Sequence, residues 1–204
     1  MLLKIYNKYR NLELSSFKGE TPKERRETFT ESFSKDLIQN GYVTDKGAAL
    51  KSGKFAELLI REVATSTGFE VTDGPKIKAK SKMTKKDYFK PDGYIEELDI
   101  YLESKNYQFF STGTANEKLY GFLAKASLYN KPVALVFVGQ HEKRMHDECK
   151  SIWEIYHNNS EFDNHVFAPA IKKLRDEGKL FVTTVLELPK FLNEMKNKAL
   201  LNNQ

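Results

Sequence analysis

The apolar run that begins at Val133 and ends at Val138 is the sequence feature that most constrains the fold. All six residues are apolar and three are valine, a composition typical of a strand that is buried on both faces. Strands of this kind lie inside sheets that carry helices on both sides. Predicted helices at about 115–129 and 142–157 flank the run and agree with this arrangement. The run therefore predicts an α/β fold.

The segments before this strand predict the order αβββαβ, a mixed central sheet flanked by helices. Ser52 is a suitable N-cap for the first helix and Gly68 can end it. A turn at Glu96-Glu97 separates the second and third strands. The first helix is predicted at 53–66, and the three strands at 69–72, 88–95 and 98–107. A further helix is predicted at 169–177, a strand at 180–184 and a last helix at the C-terminal residues.

Residues 1–50 are predicted to form a helical N-terminal extension, and residues 51–204 the core with its C-terminal helical additions. Thr21 followed by Pro22 is typical of a helix start, and Phe29, Phe33, Leu37 and Ile38 then recur at helical spacing. We expect this segment to pack onto the core. The alternative is that it recognises DNA.

The composition excludes several classes of protein. No apolar run approaches the roughly 20 residues that are needed to span a bilayer. A single cysteine, Cys149, excludes an internal disulfide framework and fits a reducing compartment. The N-terminus lacks the apolar core of a signal peptide. We therefore expect this chain of 204 residues to be a cytoplasmic protein that does not associate with a membrane.

Lysine is concentrated between Gly74 and Lys90, where seven lysines stand against one acidic residue. Clustered lysines are typical of a surface that contacts the phosphates of nucleic acid, whatever its base sequence. A solvated lysine-rich loop is the alternative interpretation. The lysines are Lys76, Lys78, Lys80, Lys82, Lys85, Lys86 and Lys90.

Acidic residues stand on both sides of the predicted turn, and Lys105 follows two residues after Glu103. Side chains alternate across a strand, so Glu103 and Lys105 share a face, and the turn brings Asp92 opposite this region. Mg²⁺ prefers carboxylate, carbonyl and water oxygens, so Asp92, Glu103 and the Ser104 carbonyl are candidate ligands. Such a metal site can hydrolyse a phosphodiester bond. In that reaction Lys105 would orient the attacking water and offset negative charge on the phosphate. Asp99 is a rival ligand, but about 13 Å of strand separates it from Glu103.

This pattern resembles the PD-(D/E)XK nuclease superfamily. Pro91-Asp92 is similar to the PD element, and Glu103-Ser104-Lys105 is similar to the (D/E)XK element after ten intervening residues. The segment 53–60 looks like the first core helix of the junction-resolvase branch, which assigns Glu57 as a further catalytic and metal-binding residue, with Glu62 as runner-up. The segment 113–118 looks like one that follows the catalytic strand in some restriction enzymes.

The resemblance implies a restriction-endonuclease-like core and a Mg²⁺-dependent DNA endonuclease, with Mn²⁺ as a substitute metal. The expected protein is a type II restriction endonuclease that acts as a homodimer on double-stranded DNA. A junction-resolvase-like nuclease and a non-catalytic DNA-binding module are the alternatives. Besides the lysines of residues 76–86, the expected DNA contacts are Ser111, Thr112, Thr114, Asn116, Lys118, Gln140 and His141.

Overall fold

The computed structural model describes residues 2–45, 52–78, 88–107, 117–139, 142 and 147–202, and these form a mixed sheet of four strands flanked by helices. Within them, no helix combines the length and the apolar content that crossing a bilayer requires. The helices are α1 (Leu2–Arg10), α2 (Pro22–Gln39), α3 (Ser52–Ser66), α4 (Glu117–Ala126), α5 (Asp147–Tyr156), α6 (Ala168–Asp176) and α7 (Leu188–Asn202). The strands are β1 (Ile77–Lys78), β2 (Tyr88–Phe89), β3 (Gly93–Ile95), β4 (Ile100–Tyr107), β5 (Val133–Gly139) and β6 (Leu180–Thr184).

The main sheet has the strand order β3-β4-β5-β6. β3 is antiparallel to β4, whereas β4, β5 and β6 are parallel to one another. Every residue of β5 is buried, so the prediction of a central strand covered on both faces is confirmed. The α/β class and the sheet flanked by helices are confirmed with it.

The second face of β4 is more deeply buried than strand alternation alone indicates. Ile100 and Leu102 pack in the hydrophobic cluster that contains α3, as expected for the apolar face. On the other face, Tyr101 packs in a second cluster, which also contains Phe122 of α4. Glu103 on that face is also buried. The charged residues of β4 therefore lie at the end of an aromatic layer and not on an open surface.

The strand predicted at 88–95 is divided in two. Tyr88–Phe89 pairs with β1 in a separate two-stranded ribbon, and only Gly93–Ile95 joins the main sheet. Pro91 stands between the two pieces and has no N–H to donate to a neighbouring strand, which explains the interruption. The strand predicted at 69–72 is reduced to a single bridge between Thr72 and Tyr94.

The N-terminal helices pack against the α3 side of the sheet. α2 begins with a capping box in which Thr21 and Glu24 exchange hydrogen bonds, and Pro22 occupies the first turn as predicted. Side chains of α1 and α2 enter the same hydrophobic cluster as Phe55 of α3. Phe33 links them, because its ring lies 5.1 Å from that of Tyr9 and 5.0 Å from that of Phe55.

Glu62 of α3 has a structural role. It accepts hydrogen bonds from the Leu3 backbone N–H at 3.1 Å and from the Tyr42 hydroxyl at 2.9 Å. Burial acts to raise the pKa of Glu62, but donors that include these two outweigh it and hold the pKa below its ordinary value of 4.5. Glu62 therefore fastens the start of α1 and the chain after α2 to α3.

We expect Glu62→Gln to lower the free energy of unfolding by about 1 kcal/mol at neutral pH, because the donors lose a charged acceptor. The folded-state pKa is lowered, so this stabilisation is present above pH 4.5 and is lost as the pH falls through the folded-state value. Urea unfolding at several pH values should show the difference from wild type shrinking in acid. The exposed Glu70 provides the control, Glu70→Gln. A difference that is unchanged well below pH 4.5 would contradict this assignment.

Candidate active site

The antiparallel pairing of β3 with β4 brings Asp92 and Glu103 to the same place. Gly93 pairs with Leu102 and Tyr94 with Tyr101, so continuing the register by one residue sets Asp92 opposite Glu103. Asp92 Oδ2 accepts hydrogen bonds from both the backbone N–H and the hydroxyl of Ser104, each at 2.7 Å. These two bonds fix the Asp92 carboxylate against the strand that carries Glu103.

Lys105 lies over the same group of oxygens. Its Nζ donates to Glu103 Oε1 at 2.5 Å and to the Ser104 carbonyl oxygen at 3.2 Å. The side chain of Glu103 is 6% exposed and that of Lys105 is 17% exposed, so the pair is largely shielded from water. Lys105 Nζ also lies 5.3 Å from the centre of the Phe122 ring, close enough for a cation–π contact.

The environment of Glu103 makes its negative charge costly unless a cation is present. Burial raises the pKa of Glu103, Lys105 opposes that effect, and the nearby charge of Asp92 adds to it, with a raised pKa as the result. The two carboxylates thus repel one another in a site with little water. A cation placed between them would relieve the repulsion.

Tyr129 contacts Glu103, and the sequence did not predict this contact. Its hydroxyl donates to Glu103 Oε2 at 3.3 Å, on the oxygen that Lys105 does not contact. Burial raises the pKa of Tyr129 far above its usual value, and the Glu103 charge adds to the effect, so the hydroxyl keeps its proton. The residue follows α4 directly in a helix-ending segment, where its sequence neighbourhood carries no sign of a site.

Arg61 of α3 contacts Asp92, and the sequence did not predict this contact either. Its Nη2 donates to the backbone carbonyl of Asp92 at 2.7 Å and to Asp73 Oδ1 at 2.7 Å. Lys90 Nζ approaches the other oxygen of Asp73 at 2.8 Å. Arg61 therefore ties the chain around Asp92 to the helix beneath it.

Glu57 does not join this group. Its side chain is half-buried on α3 and forms an ion pair with Lys54 at 3.3 Å. In the part of the chain that the structure describes, no three His, Cys, Asp or Glu residues lie close enough together to hold a metal ion. The structure therefore brings together Asp92, Glu103 and Lys105, and it leaves Glu57 outside.

Asp99 also lies elsewhere, at the turn before β4. It has a left-handed backbone conformation with φ of 51° and accepts hydrogen bonds from the Tyr94 hydroxyl and from Lys131. These bonds give Asp99 a structural role in the turn.

The described lysines of the basic segment lie on and beside the β1–β2 ribbon. Ile77 pairs with Phe89 and packs towards the core, whereas Lys78 pairs with Tyr88 on the opposite face. Lys76, Lys78 and Lys90 are exposed, and Lys76 Nζ lies 5.1 Å from the centre of the Tyr88 ring. Lys118 falls in the first turn of α4. The other expected DNA contacts lie outside the described residues: Lys80, Lys82, Lys85, Lys86, Ser111, Thr112, Thr114, Asn116, Gln140 and His141.

The oxygens at this position fit a divalent cation of the Mg²⁺ type. Two carboxylates and one backbone carbonyl are hard donors, which Mg²⁺ prefers. The Lys105 ammonium already contacts two of these donors, Glu103 Oε1 and the Ser104 carbonyl. A positive charge is therefore favourable where these oxygens meet. Asp92, Glu103 and the Ser104 carbonyl are the groups that would hold the metal.

Comparisons with protein-family models, with curated proteins and with solved structures find no match to this chain.

Proposed function

We propose that this protein is a Mg²⁺-dependent DNA endonuclease with a restriction-endonuclease-like αβββαβ core, in the manner of the PD-(D/E)XK nucleases. One observation carries the proposal: the Lys105 ammonium contacts Glu103 and the Ser104 carbonyl, while Asp92 is fixed beside them by Ser104. Apart from the separate β1–β2 ribbon, the chain runs through α3, β3, β4, α4 and β5, which supports the core assignment. The Thr72–Tyr94 bridge falls within the range of the first predicted strand.

Each residue of the group has a chemical task in phosphodiester hydrolysis. A bound Mg²⁺ would supply positive charge for the scissile phosphate and would make the attacking water more acidic. Asp92 and Glu103 would hold the ion, and Ser104 keeps Asp92 oriented through its N–H and hydroxyl. Lys105 orients the attacking water and offsets charge on the phosphate in the transition state.

The exposed lysines supply the contacts to the DNA backbone. Lys90 precedes Asp92 by two residues, so a phosphate chain held by Lys76, Lys78 and Lys90 passes near the carboxylates. The further lysines proposed to contact DNA are Lys80, Lys82, Lys85, Lys86 and Lys118. Base reading falls to the segments that follow β4 and β5, with Ser111, Thr112, Thr114, Asn116, Gln140 and His141 as the candidate residues. A homodimer on double-stranded DNA is the expected assembly, because two-fold symmetric sites call for a two-fold symmetric enzyme.

A non-catalytic DNA-binding module is the second candidate. The observation that favours it is the position of Glu57, which pairs with Lys54 instead of supplying a third carboxylate beside Asp92 and Glu103. In that case the lysine surface would bind phosphates, and the Glu103–Lys105 pair would be structural.

Incubation of the purified protein with plasmid DNA and Mg²⁺ separates these functions. We expect cleavage that stops when EDTA removes the metal. Discrete fragments identify a sequence-specific restriction enzyme, and a smear identifies a non-specific nuclease. Preferential cutting of a synthetic four-way junction over linear duplex identifies a resolvase-like enzyme. Binding of plasmid without any cutting, with Mg²⁺ or Mn²⁺, supports the DNA-binding module and contradicts the nuclease.

A further inference from the structure

The Glu103 carboxylate accepts hydrogen bonds from an ammonium on one oxygen and from a neutral hydroxyl on the other. Lys105 contacts Oε1 through a flexible four-carbon stem, and Tyr129 contacts Oε2 through a hydroxyl fixed on a rigid ring. The Tyr129 ring lies edge-on to that of Tyr101, with 5.6 Å between their centres. Tyr129 therefore restricts Glu103 in a way that does not depend on where Lys105 points.

The segment that carries Tyr129 is itself anchored to the sheet. The Tyr129 N–H donates to the Lys125 carbonyl at 3.2 Å, which continues the turn at the end of α4. The Tyr101 hydroxyl donates to Asn130 Oδ1 at 3.0 Å, and the Tyr101 N–H donates to the Pro132 carbonyl at 2.9 Å. β4 thus holds the segment around Tyr129 through Tyr101, and it carries Glu103 two residues further along the same face.

The three tyrosines of this layer have distinct hydroxyl partners. Tyr94 donates to Asp99 and Tyr101 donates to Asn130, whereas Tyr129 donates to a carboxylate of the candidate site. Their rings form one row of tilted and edge-on contacts, since the centres of Tyr94 and Tyr101 lie 5.4 Å apart with an angle of 57° between the rings. The row provides common packing, and the hydroxyl of Tyr129 alone among these three reaches Glu103.

We propose that Tyr129 is a positioning residue for metal binding: its hydroxyl fixes the Glu103 carboxylate in the orientation that receives a divalent cation. Donors that contact a ligand from outside the coordination sphere orient that ligand and keep it ready for the metal. Tyr129 suits this task because its hydroxyl donates a hydrogen bond that stabilises the ionised carboxylate. Since the hydroxyl is neutral, it does not compete with the metal ion for that negative charge. Lys105 is then free to leave Glu103 and act on the water.

Because the role of Tyr129 rests on the proposed nuclease function, the test measures Mg²⁺ binding and DNA cleavage separately. Tyr129→Phe keeps the ring and removes only the hydroxyl, and Tyr94→Phe is the matched control from the same row of rings. We expect Tyr129→Phe to weaken Mg²⁺ binding about tenfold in calorimetric titrations without DNA, the lower end of what such contacts contribute. The Mg²⁺ concentration for half-maximal plasmid cleavage should rise by a similar factor, while the rate at saturating Mg²⁺ changes little.

Tyr94→Phe should match wild type in both Mg²⁺ affinity and Mg²⁺ requirement, and thermal unfolding without metal should show both variants folded. If Tyr129→Phe binds Mg²⁺ as wild type does while Glu103→Gln does not, the positioning role is wrong and the nuclease proposal stands. If the wild-type protein neither binds Mg²⁺ nor cleaves DNA, the proposed function fails, and the role of Tyr129 fails with it.

Discussion

Replacement of Lys105 by alanine is expected to abolish Mg²⁺-dependent DNA cleavage, with a fall of about a thousandfold or more in the single-turnover rate. The lysine is the one group of the cluster that can both orient the water and offset phosphate charge, and losses of this size are typical for such groups. DNA binding should survive, because Lys76, Lys78 and Lys90 remain on the surface. Cleavage is followed on plasmid DNA, and binding by fluorescence anisotropy in Ca²⁺.

The loss must be distinguished from simple destabilisation, because Lys105 also neutralises the buried Glu103. Removing one partner of a buried ion pair leaves an uncompensated charge, whereas replacing both by neutral residues is often tolerated. The double variant Glu103→Gln/Lys105→Met should therefore regain stability and stay inactive. Lys131→Ala is the control, since Lys131 pairs with Asp99 at the turn. Undiminished cleavage by Lys105→Ala would show that the active-site assignment is wrong.

Replacement of Arg10 by alanine is expected to have the largest effect on stability, a loss of about 3 kcal/mol in the free energy of unfolding. Arg10 approaches both oxygens of Glu142 at 2.8 Å, and the Glu142 side chain is only 9% exposed. The Tyr6 hydroxyl donates to the same carboxylate at 3.2 Å and accepts from the Gly139 N–H at 2.9 Å. Without the guanidinium, the Glu142 carboxylate stays buried and charged. Of the donors from Arg10 and Tyr6, only the neutral Tyr6 hydroxyl then remains.

The comparison for Arg10 is Lys8 on the same helix. Lys8 pairs with Asp36 at 2.6 Å, but its side chain is 59% exposed, so Lys8→Ala should cost less than about 1 kcal/mol. Urea unfolding measures both variants. Equal effects at the two positions would contradict a special role for Glu142 in fastening α1 to the end of β5.

The parts of the fold that could be predicted are those with local sequence signals. β5 is a continuous apolar run, and its predicted range of 133–138 agrees with the observed Val133–Gly139 within one residue. α2 carries its own capping box, and β6 was predicted with its observed bounds. The proximity of Asp92 and Glu103 also followed from local rules, because a hairpin register and strand alternation decide it.

The parts that could not be predicted depend on contacts between distant residues. Tyr129 and Glu103 are 26 positions apart, and Arg61 and Asp92 are 31 positions apart. No periodicity or spacing in the sequence marks either pair. α1 lies within the predicted helical extension, but its contact with Glu142 was not predicted, because Arg10 and Glu142 are 132 positions apart. Glu57 was assigned by resemblance alone, and its ion pair with Lys54 lies on its own helix.

The most direct measurement is the cleavage of supercoiled plasmid by wild-type protein and by Glu103→Gln, purified in parallel, with and without Mg²⁺. Glutamine keeps the size of the side chain and removes the charge that would bind the metal. We expect wild type to nick and linearise the plasmid only with Mg²⁺, and Glu103→Gln to bind the plasmid but leave it intact. Equal cleavage by both proteins, or none by wild type with either Mg²⁺ or Mn²⁺, would contradict the proposed metal site at Glu103.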